Sequence, residues 1–251
     1  MMLTCRSLSR AFLLASFSLN ASAETPAETK TIVANAERIR SADDAVVKVE
    51  LGTATRVDGK DEVSGYDLEI HRGTGKRGYV KFVGPPQEVG RKMLVVGSNY
   101  WAKFPDSKKV HRISRKEMIG NSVFQLVDLF QLDVDRDYDL KHTGYEQAEG
   151  ADCHKVEMTG KSEDAPYARI QYFIAKKDNF PVLAIFFTAS GKRIKTLKTL
   201  GRSILGGIER PASFEMKDDV TEGRFSTWKT LSLVPKKIPD RVFDPEFLVS
   251  Q

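Results

Sequence analysis

The chain has 251 residues, with 39 Lys and Arg against 34 Asp and Glu, so its formal net charge is only +5. A basic excess this mild and diffuse argues against nucleic acid as a partner and fits, at most, anionic lipid headgroups. The cysteines, Cys5 and Cys153, lie in different parts of the chain, and the first is lost with the leader described next.

Arg6 and Arg10 make a positive n-region, Ala11 to Leu19 an apolar h-region, and Asn20-Ala21-Ser22-Ala23 places small residues at the cleavage positions. This three-part pattern predicts a secretory signal peptide over residues 1–23, cut after Ala23. The apolar stretch is shorter than the roughly 20 residues a spanning helix needs. Cys5 precedes the h-region, which excludes a lipid anchor there. The remainder, residues 24–251, suits one β domain with a sizeable core, working outside the cytoplasm. Cys153 then stands alone. The fold has no internal disulfide to draw on, and Cys153 itself reads as a buried, strand-borne small hydrophobe.

Glu24 to Lys30 is polar and reads as a flexible leader. Ile32, Val33, Ala36 and Ile39 give Thr31 to Ser41 the spacing of a short amphipathic helix. Strand patterns follow over Gly65 to His71, Tyr79 to Val83, a long Met93 to Phe104, and a return over Val110 to Ser114 after the Pro105 to Lys109 turn. One interior helix interrupts them. Ser122 with Gln125 forms a capping-box pair, and Val123, Leu126, Val127 and Phe130 fall on one stripe.

The second half reads as a meander. Asp139 to Tyr145 pairs with Cys153 to Thr159 across Glu149-Gly150, and strands follow over Tyr167 to Ala175, Val182 to Thr188, Lys192 to Leu200, Ala212 to Met216 and Phe225 to Leu233. Regular strands with Gly, Asn, Asp and Lys turns predict one antiparallel sheet or barrel. Two strands carry apolar residues on both faces: Ile170, Tyr172 and Ile174 oppose Phe173, and Leu183, Ile185 and Phe187 oppose Phe186. Either helices cover the second face or the sheet lines an apolar cavity.

The chemistry-bearing residues form no catalytic set. Asp133, Asp135, Asp137 and Asp139 alternate, but a calcium loop counted from Asp133 needs Gly and Glu where Tyr138 and Gly144 stand, so a solvated acidic face is expected. His142 and His154 can approach across the Glu149-Gly150 hairpin, yet two ligands do not close a metal site. Cys153 and His154 are strand neighbours and point to opposite faces, so they form no nucleophile–base pair. There is no GxSxG elbow, and Gly73-Thr74-Gly75-Lys76 lacks phosphate-loop spacing. No cofactor, metal or enzymatic activity is expected.

Gly97, Trp101 and Pro105, with Tyr100 between, resemble the Gly-x-x-Leu-Trp strand ending in Pro of the LolA/LolB-like outer-membrane lipoprotein-sorting proteins. Lys76-Arg77 resembles that family's Lys-Arg-Pro, with Gly78 in place of Pro. Asn99-Tyr100-Trp101, Pro166-Tyr167-Ala168-Arg169, the Ser190-Gly191-Lys192 turn with Thr196-Leu197, and Ile238-Pro239-Asp240 to Phe247-Leu248 match an uncharacterised LolA-like subgroup. The resemblance implies a mainly β fold, a half-open antiparallel β-barrel around an apolar cavity with short lid helices. It further implies a periplasmic carrier that binds lipid or lipoprotein acyl chains, meets membrane surfaces transiently, and passes its cargo between membranes or to an inner-membrane transporter. Cavity and lid would comprise Tyr100, Trp101, Phe104, Leu126, Val127, Phe130, Tyr172, Ile185 and Phe187, with Arg77 as a gating residue at the rim. The alternative is an interaction or scaffold module of the same fold with a closed core.

Overall fold

A computed structural model describes residues 24–57 and 60–250; the expected signal peptide lies outside them. Helix α1 (Pro26–Arg40) begins five residues before the apolar spacing does, because Thr25-Pro26-Ala27-Glu28 is a complete capping box. The Thr25 side chain accepts from Glu28 N at 3.3 Å, and the Glu28 carboxylate accepts from Thr25 N at 2.9 Å. Pro26 fits the first turn, where its missing N–H costs nothing. The expected flexible leader is therefore helical from Pro26 onward.

Thirteen strands follow: β1 (Ala45–Val57), β2 (Lys60–Gly73), β3 (Arg77–Gly84), β4 (Lys92–Val96), β5 (Asn99–Lys103), β6 (Val110–Arg112), β7 (Tyr138–Ala148), β8 (Ala151–Gly160), β9 (Arg169–Ala175), β10 (Pro181–Phe187), β11 (Arg193–Leu205), β12 (Ile208–Asp218) and β13 (Arg224–Pro235). They form one antiparallel sheet in the order β6-β5-β4-β3-β2-β1-β13-β12-β11-β10-β9-β8-β7. The sheet does not close, since its edges are β6 and β7. Strand β1 is an addition to the sequence reading. Its Val47, Val49, Leu51 and Thr53 are buried on one face, and it pairs with both β2 and β13 at the middle of the sheet. The expected single strand over 93–104 is two strands. Gly97 at φ +60° makes the turn between them, so that Val96 faces Asn99.

The inner face of the curled sheet carries the main core. It joins Val47, Val80, Met93 and Tyr100 from one half to Val156, Ile170, Tyr172 and Phe186 from the other. The outer face is covered in two places. Residues 238–250, which include helix α3 (Pro245–Ser250), lay Ile238, Phe243 and Leu248 over Tyr79 and Leu94. A second cluster holds Cys153, Phe173, Ala175 and Phe180, with Ile39 of α1. Cys153 is fully buried there, and burial pushes its thiol pKa up. His154 faces the inner side, as strand alternation requires.

Between β6 and β7 the chain does not form the expected helix over Val123 to Gln131. Over those nine residues the one helical element is a 3-10 turn, Leu126–Leu129. Residues 117–126 instead make a small hairpin, with Ile119 N donating to Phe124 O and Leu126 N to Glu117 O, both at 2.9 Å. The cap differs as well: Gln125 N donates to Asp128 Oδ2 at 2.8 Å, and Ser122 instead caps locally by accepting from Phe124 N. The acidic row after it is largely helical rather than extended, with Asp135 and Asp139 exposed and Asp137 buried. Asp133 caps the short helix α2 (Val134–Asp137), and its carboxylates meet Lys76, Lys30 and Arg136.

A plugged concave face as the candidate functional site

The segment 113–134 runs along the inner face of the sheet and fills it. Val123, Leu126, Val127, Leu129 and Phe130 are all buried in the main core. The sequence stripe was thus a true burial signal read with the wrong backbone. An α-helix through Gln131 would spend the Asp128 carbonyl on the Leu132 amide. Here Arg40 of α1 takes that carbonyl with Nη1 at 2.9 Å and the Phe130 carbonyl with Nη2 at 2.5 Å. Leu132 N is diverted to Glu37 Oε2 at 2.8 Å. Glu37 and Arg40 also bind each other through two hydrogen bonds, at 3.0 and 2.8 Å, and Tyr172 donates to Glu37 at 3.1 Å.

This buried pair is the main grip on the plug. Burial alone would raise the Glu37 pKa, but the Arg40 charge and the bonds from Arg40, Leu132 and Tyr172 outweigh it and hold the carboxyl below its ordinary range. Asp128 is the second grip, accepting from Tyr167 Oη at 2.7 Å beside the buried Lys195, 3.7 Å away. Ser226 of β13 is the third, accepting from Val123 N at 2.8 Å while bonded to Thr53.

Phe130 meets Gly78 of β3 with the Cε1–Cζ edge of its ring. A Cβ on Gly78 would come within 2.2 Å of Phe130 Cε1 and Cζ, so any larger residue would force the ring of the plug to shift. Gly78 is the position where the family motif has proline.

What space remains is divided. A void of about 40 Å³ lies between plug and sheet, lined by Val47, Leu197, Phe214, Trp228 and Leu233. A cavity needs roughly 10–15 Å³ for each water, so this one is far too small for an acyl chain. A wider pocket of about 460 Å³ opens at the mouth beside Lys30, Lys76, Phe130, Asp133 and Arg136. Arg72 of β2 borders both. It is only 7 % exposed. Its Nη1 donates to Ser41 Oγ at 2.8 Å, and its Nε has no partner. Burial, with Arg40 nearby, lowers its pKa to about 9. Asp43 is the carboxylate whose charge reaches it, but among the described residues the two form no ion pair, so a further anion beside this buried guanidinium would relieve its cost.

The expected cavity residues therefore separate. Tyr100, Leu126, Val127, Phe130 and Tyr172 meet in the main core. Trp101 lies on the outer face with the C-terminal cover, because its register partner is Leu94 while Tyr100 pairs with Val95. Ile185 lies outside as well, against the Phe173 cluster, since the residue opposite Tyr172 is Ala184. Phe187 is the partner of Arg169, whose guanidinium stacks on its ring at 4.0 Å. Phe104 lies beyond the end of β5, 38 % exposed, with Arg91 over its ring. Arg77 does not reach the plug. It bonds Asp240 at 2.7 Å and stacks on Phe243, tying down the C-terminal cover. Glu37, Arg40 and Arg72 are not among the residues expected from sequence. The first two were legible as an i,i+3 acid–base pair on the helix beside the buried Ala36.

A family model described as "Uncharacterized protein" matches residues 74–250. Among curated proteins no match is found. Solved structures of similar shape include a LolA superfamily protein from Nitrosomonas europaea, with a TM-score of 0.76 and 20% identity over 87% of this chain and 98% of that one. A DUF1329 family protein from Desulfovibrio piger gives 0.76 and 18% over 89% and 98%. A putative outer membrane lipoprotein-sorting protein domain from Vibrio parahaemolyticus gives 0.75 and 18% over 90% and 100%. Identities this low carry the fold and nothing finer.

Proposed function

This chain belongs to the uncharacterised family matched over residues 74–250 and has the LolA-like fold, and from that premise we propose that it is a non-catalytic carrier of acyl chains with an anionic head. The observation that carries the proposal is the junction at Arg72, where a poorly paired buried cation stands between a polar mouth and an apolar interior. In this reading the plug holds the place of the cargo. Leu126, Val127 and Phe130 contribute roughly 1.5–3 kcal/mol each by burial. An acyl chain of about sixteen carbons gains on the order of 0.8 kcal/mol per CH₂, around 10 kcal/mol before ordering costs. Exchange of one for the other is therefore near balance and reversible. The carrier works in the cell envelope after cleavage following Ala23. It contacts membrane surfaces transiently and passes lipid or lipoprotein between membranes or to an inner-membrane transporter.

The test is native mass spectrometry of gently purified protein, paired with titration of a fluorescent fatty acid. Co-purifying lipid, or saturable probe binding that unlabelled fatty acid reverses, is the expected result. The self-filled core favours a second reading, an envelope interaction module. Absence of both lipid and probe binding, in the native protein and in Phe130→Ala, would establish that reading and end the first.

A further inference from the structure

We propose that the mouth pocket beside Arg72 selects a zwitterionic lipid head of the ethanolamine phosphate class, with Arg72 taking the phosphate and Asp43 the terminal primary ammonium. The proposal rests on the carrier reading and names the class of head that reading leaves open. Arg72 lies near the end of β2, with Ala45 at the start of β1 as its register partner. Asp43 stands in the short link between α1 and β1, so the pairing of β1 with β2 brings both residues to the same pocket of about 460 Å³. That is ample for a polar head.

The mouth is rich in charge, and nearly all of it is already matched. Lys30 is bound to Asp135 at 2.9 Å, Lys76 to Asp133 at 3.2 Å, Arg136 to Asp137 at 2.7 Å and Glu37 to Arg40 at 2.8 Å. Of the charged residues lining the pocket, Arg72 and Asp43 are left, and neither has an ion pair among the described residues. Each feels the other's charge without meeting it. A site for a plain anion would gather spare cations, but this mouth offers one spare cation and one spare anion. A purely anionic head gains at Arg72 and is repelled at Asp43, whereas a head with both charges satisfies both.

Their order is informative too. Arg72 borders the interior void and the mouth, while Asp43 borders the mouth alone. From the interior outward the protein therefore presents an apolar surface, a cation and an anion. That sequence complements an acyl chain, a phosphate and a terminal ammonium. The ammonium is primary, because a carboxylate accepts from N–H donors. A quaternary ammonium calls for a cage of aromatic faces, and Phe130 is the one aromatic residue in this lining.

The experiment displaces the fluorescent fatty acid from the purified protein with lysophospholipids of one chain length, below the concentration at which they form micelles. The ethanolamine head should compete about threefold more strongly than the glycerol and choline heads, the gain expected of one added, partly exposed ion pair. Acetylating its amine should abolish the advantage. Asp43→Asn should abolish it as well, while fatty-acid binding persists. Asp43 is exposed, so the variant should fold, and the acetylated lipid gives the same information on the unaltered chain. Equal competition by the three heads, or an ethanolamine preference that survives Asp43→Asn, overturns this site and leaves acyl carriage standing. Failure of the fatty-acid probe itself to bind ends both.

Discussion

Two covers lie on opposite faces of the same strands, and they are held differently. The C-terminal cover puts Ile238, Phe243 and Leu248 on Tyr79 and Leu94, an apolar contact with the Arg77–Asp240 ion pair at its exposed rim. The plug is equally buried, but its backbone is gripped by Glu37, Arg40 and Ser226 and its Asp128 by Tyr167 and Lys195. An apolar cover is released only by exposing its full area to water. A polar grip can be exchanged bond for bond with another ligand or with water, so the plug is the face built to move.

Phe130 and Phe243 make the sharpest test, being 6 % and 5 % exposed. Each, replaced by Ala, should cost about 3–5 kcal/mol in denaturant unfolding. Fatty-acid titration should separate them: Phe130→Ala retains or strengthens uptake, and Phe243→Ala leaves it unchanged. Stronger uptake in Phe243→Ala would mean that the wrong cover had been chosen.

The glycines beneath the two rings give the same comparison at lower cost. Gly78 lies under Phe130, and a Cβ on Gly73 would meet Phe243 at 2.7 Å. Overpacking by one methyl costs typically 1–3 kcal/mol. Gly78→Ala should raise hydrogen exchange at residues 126–132, whereas Gly73→Ala should raise it at 240–248 only.

Acid should loosen the plug before the cover. The folded Glu37 pKa lies below its ordinary value of 4.5. Its contribution is therefore fully present above that value and disappears as pH falls through the lower, folded pKa. Exchange at 126–132 should be flat from neutral pH to about pH 5 and rise only below the ordinary carboxylate range. In Glu37→Gln that rise should vanish. A rise near pH 6 would place the control elsewhere.

The smallest effect on stability belongs to Arg72→Met. Removing a poorly paired buried charge should be neutral or mildly stabilising in a thermal melt. Binding should still change, with loss of preference for a fatty acid over the matching fatty alcohol. An unchanged preference would take Arg72 out of the head-group site.

The meander was legible because each strand of β7 to β13 alternates with period two between turn residues such as Glu149-Gly150, whose φ values are +49° and +78°. Sidedness between strands was not. Alternation fixes faces within β9 and within β10, but a register shift between Pro181 and Leu183 decides that Tyr172 sits opposite Ala184 rather than beside Ile185. The plug was misread because a 3.6-residue spacing reports burial, while its carbonyl partners lie on α1, some ninety residues earlier in the chain. Arg72 drew no attention as a lone charge, although it continues the Tyr66, Leu68 and Ile70 face by period two and so lies on the inner side.

Strand β1 is hydrogen-bonded to β13, so Ala45 neighbours Pro235 at the centre of the sheet. The first strand made thus waits for the last before the sheet's two halves can join. Contacts between such distant parts of a chain slow folding. A polypeptide that folds only when its end arrives stays threadable through a narrow translocation channel for the whole of its synthesis.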